Sequence, residues 1–286
     1  MVIPWQIVIP FLLISNAANL ILAKIMADRM KERIPVGIFY QALFCAISAA
    51  IFISITKESA AMWAIFAIAG IGFANAIGNY AQFHAMALSL SRIGLYLPLV
   101  NVLAVMLAVI FIGEFKYLTL SHAMGIVLCL ASMYLFARVK GEGGEETNRK
   151  DWIVWVVLMI VIFGSSAFLL KWFSFVPPSV VLFAWFVGGT LGSFVIVKLK
   201  NERIKVNRQE SIVIVPLSFT NIAALGLLVW AFQLNGPVSL VSTLQGWVFT
   251  IIPILAGWLL FGEAYDLWRC RFVFIMGLIE AFLILF

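Results

Sequence analysis

Residues 152–170 read WIVWVVLMIVIFGSSAFLL, a run of 19 residues without a charged side chain. A helix that crosses the hydrocarbon core of a bilayer needs about 20 apolar residues, because each residue advances the helix by about 1.5 Å. The rest of the chain has the same character: 64% of its 286 residues are apolar and only 11% are charged. An average soluble domain has about 25% charged residues. The composition therefore predicts a protein whose solvent is lipid.

Ten apolar runs of this kind follow one another along the chain, separated by short connections. We predict a transmembrane helix in each of these ranges: 5–25, 35–55, 61–84, 93–112, 119–136, 152–170, 178–197, 212–234, 238–260 and 267–286. The longest connections, 137–151 and 198–211, leave no room for a soluble domain. The predicted fold is an all-α membrane protein with ten transmembrane helices.

The two halves of the chain repeat the same features in the same order. Matched residues lie 147, 150 and 149 residues apart: Lys24 and Lys171, Tyr80 and Trp230, Glu114 and Glu263. These offsets predict one duplication, with a first five-helix repeat at 1–137, a linker at 138–151 and a second five-helix repeat at 152–286. An odd number of helices in each repeat inverts the second copy in the membrane. Inverted repeats are common in secondary transporters, which bind substrate at the repeat interface.

The basic residues predict the orientation of the helices. Of the 19 Lys and Arg residues, 16 lie in odd-numbered connections and three in even-numbered ones. The positive-inside rule places the side with 16 in the cytoplasm. We therefore expect a multi-pass protein of the cell membrane, with both termini outside and connections 1–2, 5–6 and 7–8 in the cytoplasm. The net charge of +6 then reflects orientation, and no nucleic-acid partner is expected.

Several short motifs carry a resemblance to a known family. They are Gly113-Glu114 and Gly262-Glu263, Phe163-Gly164-Ser165-Ser166 followed by Lys171, Tyr80-Ala81 and Trp230-Ala231. In this order they resemble the drug/metabolite transporter superfamily in its ten-helix EamA-type form. The resemblance implies that helices 1–4 and 6–9 line a central cavity, and that helices 5 and 10 lie at the periphery or form homodimer contacts. Members of that superfamily move amino acids, drugs, nucleotide sugars, quaternary amines and other metabolites.

Polar side chains inside the apolar runs are the candidates for substrate binding, because they are costly in lipid unless they face a cavity or a partner. The candidates are Asn16, Asn19, Asn75, Asn79, Gln82, Asn101, Ser165, Ser166, Asn221 and Gln245, with Trp185 and Trp247 as aromatic surfaces for a ligand. The spacing of Asn75, Asn79 and Gln82 places them on one face of the third helix. The alternative role of such residues is hydrogen bonding between helices. A stripe of Gly70, Ala74 and Gly78 on the same helix predicts close packing.

Two further roles are predicted from position. Tyr80 and Trp230 lie at matching places of the repeats, so each ring is expected either to close one side of a transporter or to be an ordinary packing residue in contact with lipid or core. Glu280 is a carboxylate well inside the tenth run, where it is a candidate for proton coupling or for a subunit contact. The sequence has no grouping typical of an enzyme, a metal site or a cofactor site.

The leading hypothesis is therefore a secondary transporter that moves a small polar, zwitterionic or amine metabolite by alternating access. Its partners are the small-molecule substrate and the lipid bilayer. Two alternatives are a lipid flippase or scramblase on the same scaffold and a membrane subunit that does not transport.

Overall fold

The computed structural model describes residues 4–94, 96–117 and 146–262, together with positions 120, 124, 127, 128, 131, 275 and 279. A short 3-10 helix, Trp5–Ile7, precedes the first α-helix. The α-helices are α1 Ile9–Arg29, α2 Ile34–Thr56, α3 Met62–Leu88, α4 Leu90–Gly94, α5 Pro98–Ile112, α6 Glu146–Trp172, α7 Pro178–Leu199, α8 Arg208–Gln233 and α9 Val238–Leu259. The described positions contain no strand.

Seven of the described helices are long and apolar enough to cross a membrane: α1, α2, α3, α6, α7, α8 and α9. Each has 21 or more residues, so each spans about 30 Å or more. Large apolar side chains such as Phe11, Ile55 and Phe66 are exposed on them, as expected where lipid is the solvent. The prediction of an all-α, multi-pass membrane protein is confirmed. The described positions within the fifth and tenth predicted runs are helical, and the rest of those runs lies outside the described residues.

The fourth predicted run is not one continuous helix. It divides into the short α4 and the 15-residue α5, which begins at Pro98. Proline is tolerated at the first position of a helix because the backbone N–H that it lacks would be unsatisfied there in any case. Pro98 therefore starts a new helix inside the fourth predicted run. Pro216 and Pro253 do lie inside helices, α8 and α9.

The chain falls into two compact units, and each contains segments from both halves of the sequence. Unit 1 comprises Met1–Ala87 and Leu169–Gly236, and unit 2 comprises Leu88–Phe168 and Pro237–Phe286. In unit 1, α2 packs on α7 and α1 packs on α8. In unit 2, α9 packs on α4 and α5.

The helices α3 and α7 of unit 1 approach so closely that their backbones touch. A Cβ atom added to Gly72 of α3 would lie 2.0 Å from the carbonyl oxygen of Trp185, and one added to Gly188 of α7 would lie 1.9 Å from that of Ala69. Small residues at such crossings let transmembrane backbones approach closely. The prediction that Gly70 packs closely against another helix is therefore wrong. Gly70 is exposed, and a Cβ atom added to it would have no neighbouring atom within 4 Å.

Polar contacts fix the ends of several helices. The Lys24 ammonium of α1 donates to the carbonyl oxygen of Met86 in α3, at 2.9 Å. The Lys171 ammonium of α6 donates to the carbonyl oxygen of Phe232 in α8, at 3.0 Å. Both lysines thus supply donors to carbonyl groups in the last turns of other helices, where intrahelical partners are missing.

In unit 2, a buried carboxylate caps the start of α9. The Glu114 carboxylate accepts hydrogen bonds from the backbone N–H groups of Val238 at 3.0 Å and Ser239 at 2.9 Å, and from the Ser239 hydroxyl at 2.9 Å. Negative charge is favourable at a helix N-terminus, where backbone donors point outward. The Glu114 side chain therefore anchors the N-terminus of α9 within unit 2.

Candidate functional site

A cavity of about 80 Å³ lies inside unit 1, between α2, α3, α7 and α8. Its lining consists of Ile38, Gln41, Ala42, Gly72, Asn75, Ala76, Asn79, Trp185, Phe186, Gly189, Asn221 and Leu225. Asn75 and Asn221 are each the fourteenth residue of their helix, α3 and α8, and these helices have 27 and 26 residues. The cavity therefore lies at mid-helix depth, where the sequence is otherwise apolar.

Four amide side chains give this cavity its polar character. Gln41 is only 4% exposed, and its side-chain oxygen has no hydrogen-bond partner. Asn75 is buried, while Asn79 and Asn221 are half-buried. A buried amide oxygen without a donor is unfavourable, so it marks a place where a ligand or water supplies the missing hydrogen bond.

Gly189 leaves part of the cavity open because it has no side chain. Its neighbour Gly188 is pressed against the α3 backbone, but a Cβ added to Gly189 would have no neighbour closer than the carbonyl oxygen of Gly72 at 3.6 Å and Cβ of Ala42 at 3.9 Å. Gly72 and Ala42 also line the cavity. The absence of a side chain at position 189 therefore leaves room beside the amides.

The structure brings together four of the side chains that the sequence proposed for substrate binding: Asn75, Asn79, Trp185 and Asn221. Gln82, which was predicted on the same face as the two asparagines of α3, is half-buried and is not part of the lining. Asn75 and Asn79, which are four residues apart, therefore both line the cavity, whereas Gln82, three residues further along the helix, does not.

Two candidates on α1 lie in unit 1 but outside this lining. The Asn19 side chain donates to the Thr220 hydroxyl of α8 at 3.5 Å, so it joins two helices, as the structural alternative predicted. Asn16 is buried, and its side-chain nitrogen has no partner.

The remaining polar candidates belong to unit 2. Asn101 of α5 is buried with an unpartnered side-chain nitrogen, and a Cβ added to Gly246 of α9 would lie 3.3 Å from that nitrogen. Ser166 and Gln245 are buried, whereas Ser165 and Trp247 are half-buried. These residues are not part of the cavity in unit 1.

The two predicted gate residues have different surroundings. Tyr80 is buried, and its ring lies 4.2 Å from the His84 ring and 5.9 Å from the Lys200 ammonium. Trp230 is 41% exposed. The two lysine contacts give a second measure of the spacing between the halves. The carbonyl groups that accept from Lys24 and Lys171 belong to Met86 and Phe232, which lie 146 residues apart. Tyr80 and Trp230 were paired at a spacing of 150 residues. Glu280, the candidate for proton coupling, lies outside the described residues.

Sequence reasoning did not select Gln41 as a binding residue. The signal was nevertheless present, because a glutamine eight residues into an apolar helix is as costly in lipid as the asparagines that were selected. Gln41 and Trp185 each occupy the eighth position of their helices, α2 and α7.

Comparison with known proteins supports the fold alone. No family model matches the sequence, and no curated protein is similar to it. A protein of known crystal structure shares the fold, with a TM-score of 0.63 and 18% sequence identity, over 95% of this chain and 96% of that one. The fold of the chain is therefore one already seen by crystallography, over almost its full length.

Proposed function

We propose that this protein is a secondary transporter that moves a small polar metabolite across the cell membrane through the cavity of unit 1. The observation that carries the proposal is a cluster of amide side chains around an internal space at mid-helix depth in a multi-pass membrane protein. Polar side chains at that depth are costly, and they mark substrate pathways when they line a cavity.

The proposed architecture is the ten-helix inverted repeat of the EamA-type transporters, with repeats at 1–137 and 152–286. Residues at matching places of the two repeats line the same cavity: Asn75 and Asn221, Asn79 and Leu225, Gln41 and Trp185, and Ala42 and Phe186. The first two pairs lie 146 residues apart and the last two lie 144 apart. Substrate sites formed by matched elements of two inverted repeats are typical of secondary transporters.

Two further pairs of contacts support the same duplication. Lys24 and Lys171 bind carbonyl groups 62 and 61 residues further along the chain. Gly113 and Gly262 both have a left-handed backbone, with φ of 77° and 69°. Glycine is favoured there because a Cβ atom would be strained. The lysine contacts and the glycine conformations thus recur at similar spacing in the two halves, which supports the proposed duplication.

In the proposed mechanism, the repeats alternate between states open to opposite sides of the membrane. Tyr80 and Trp230 are proposed to close the cytoplasmic and outer sides, and both termini are proposed to lie outside. Glu280 is proposed to couple transport to protons or to form a subunit contact.

Filling the cavity tests the proposal. Gly189→Val places two methyl groups beside the amides, and Gly70→Val makes the same change at an exposed position of α3 where a Cβ has no neighbour within 4 Å. Both variants and the wild type are reconstituted into proteoliposomes, and uptake from a panel of labelled metabolites is measured. We expect at least one substrate whose uptake is lost in Gly189→Val and retained in Gly70→Val.

The same preparation distinguishes the alternatives. Protein-dependent movement of fluorescent lipids without uptake of any metabolite would replace the transporter with a flippase or scramblase. Uptake that is equal in the two variants would remove the cavity from the transport route. The absence of uptake and of lipid movement would favour a subunit that does not transport.

A further inference from the structure

We propose that the cavity of unit 1 selects solutes that are small, carry no net charge and offer at least one hydrogen-bond donor. This inference rests on the proposed function for its biological meaning, but it concerns binding and is tested by binding as well as by flux. It narrows the substrate class, because organic cations and anions fall outside it.

The lining of the cavity contains no ionisable group. None of the twelve side chains that line the cavity is acidic or basic. Two ion pairs of unit 1 lie at helix ends, where the Lys24 ammonium has Asp28 at 2.9 Å and the guanidinium of Arg33 has Glu210 at 3.0 Å. An ion that enters a space of low dielectric must lose its hydration, and it is stable there only with a counter-ion. The lining provides none.

The side chain of Gln41 has an unmet hydrogen bond. Its side-chain oxygen accepts nothing from the protein, although the residue is almost completely buried. A neutral amide lining offers both acceptors and N–H donors, so it suits a solute that has both kinds of group. A solute with an N–H or O–H group aimed at this oxygen removes an unfavourable buried acceptor, which a purely apolar solute cannot do.

The two halves of the chain contribute unequally to the polar lining. The helices α2 and α3 supply three amides, from Gln41, Asn75 and Asn79, whereas α7 and α8 supply only Asn221. At the places that match Gln41 and Asn79, the second half has Trp185 and Leu225. The lining therefore favours a solute with its polar groups toward the first half and a weakly polar face toward the second.

Size limits the class further. A volume of about 80 Å³ is well below the 300–1,000 Å³ that is typical of pockets for drug-sized ligands. We therefore expect solutes with few non-hydrogen atoms, or one end of a larger molecule.

Urea and guanidinium are suitable probes, because they have nearly the same planar shape and differ in charge. The full chain is reconstituted into proteoliposomes with the membrane potential clamped at zero, and protein-dependent flux of ¹⁴C-labelled urea and guanidinium is measured. We expect urea flux at least tenfold above guanidinium flux. Binding is followed independently by saturation-transfer NMR, with acetamide and acetate as the matched neutral and anionic pair, and only acetamide should bind.

Variants at Gln41 connect the selectivity to the cavity. Gln41→Met keeps the length of the side chain and removes its hydrogen bond, so urea flux should fall roughly fivefold, the factor that corresponds to about 1 kcal/mol. Gln41→Glu introduces a counter-ion and should raise guanidinium flux above urea flux. Gln6→Met makes the same chemical change at an exposed position before α1 and should leave both fluxes unchanged.

Each outcome supports or overturns the inference. Guanidinium flux equal to or above urea flux in the wild type, or acetate binding as well as acetamide, would overturn it and leave a transporter of ions. The absence of both binding and flux for the neutral probes would also overturn it, whereas the metabolite panel with Gly189→Val would still decide the proposed function. Acetamide binding that Gln41→Met weakens, without flux of any solute, would support the selectivity of the site and contradict transport.

Discussion

Replacing Gly188 by alanine is the most direct test of the packing that positions the cavity. The added Cβ would lie 1.9 Å from the carbonyl oxygen of Ala69, whereas an ordinary contact is 3.4 Å or more. The obstacle is backbone, so no side-chain rotation removes it. The helices α3 and α7 must separate by about 1.5 Å at this point. Overpacking of this kind costs about 1–3 kcal/mol, and sometimes more.

Gly189→Ala is the matched control, because it makes the same change on the same helix one residue further on. Its Cβ would have no neighbour within 3.6 Å. Both substitutions gain about 1 kcal/mol from the higher helix propensity of alanine. The difference in stability between the two variants therefore isolates the overpacking term.

Thermal unfolding in detergent, followed by fluorescence-detected size exclusion, measures this difference. At about 2–4 °C for each kcal/mol, the apparent midpoint of Gly188→Ala should lie roughly 2–12 °C below that of Gly189→Ala. A difference of less than about 1 °C would refute the close approach of α3 and α7 at this residue. Gly70→Ala, at an exposed position with no neighbour within 4 Å, should behave like Gly189→Ala.

Three further predictions concern charge and orientation. Single cysteines at Ser59 and Gly143 should react differently with an impermeant maleimide on intact cells, Ser59 from the outside and Gly143 only after lysis; the reverse pattern would invert the proposed topology. Glu114→Gln removes the charge that caps α9 and should lower stability by about 1.5–3 kcal/mol, measured as the unfolding midpoint, whereas Glu32→Gln at an exposed position should leave it unchanged. Burial raises the pKa of the Glu202 carboxyl above 4.5, against the opposing effect of neighbouring positive charges. The contribution of this carboxyl group to the free energy of unfolding should therefore be greatest below pH 4.5 and should fall as the pH rises through the raised pKa. Glu202→Gln should remove that fall. A pH profile of stability that is the same in the variant and the wild type would contradict the assignment.

The apolar runs predicted the membrane helices well because lipid imposes one requirement on every span. A helix must be long enough and must satisfy its own backbone hydrogen bonds. This is why α1, α2, α7 and α9 lie close to the predicted ranges. The division between α4 and α5 was not predicted, because a proline inside an apolar run is compatible both with a kink and with a new helix.

The candidate site was predicted only in part, because polarity is visible in a sequence and direction around a bundle is not. Asn75 and Asn79 were placed on one face correctly, but their spacing alone could not exclude Gln82 from the cavity. Asn19 has the same chemistry as Asn75, yet it donates to Thr220 because α1 packs on α8. Which neighbour each amide meets depends on helix packing, which a single sequence does not encode locally.

The crossing of α3 and α7 has a mechanical consequence. At Gly72 and Gly188 each helix presents bare backbone to a carbonyl oxygen of the other, so no side chains interlock there. Where side chains interlock, two helices can change their angle only if rotamers rearrange and packed atoms separate. At these two glycines a change of angle between α3 and α7 meets no interlocked side chain. Because Trp185 and Asn75, which line the cavity, lie close in sequence to the crossing, a small rotation about this point changes the width of the cavity.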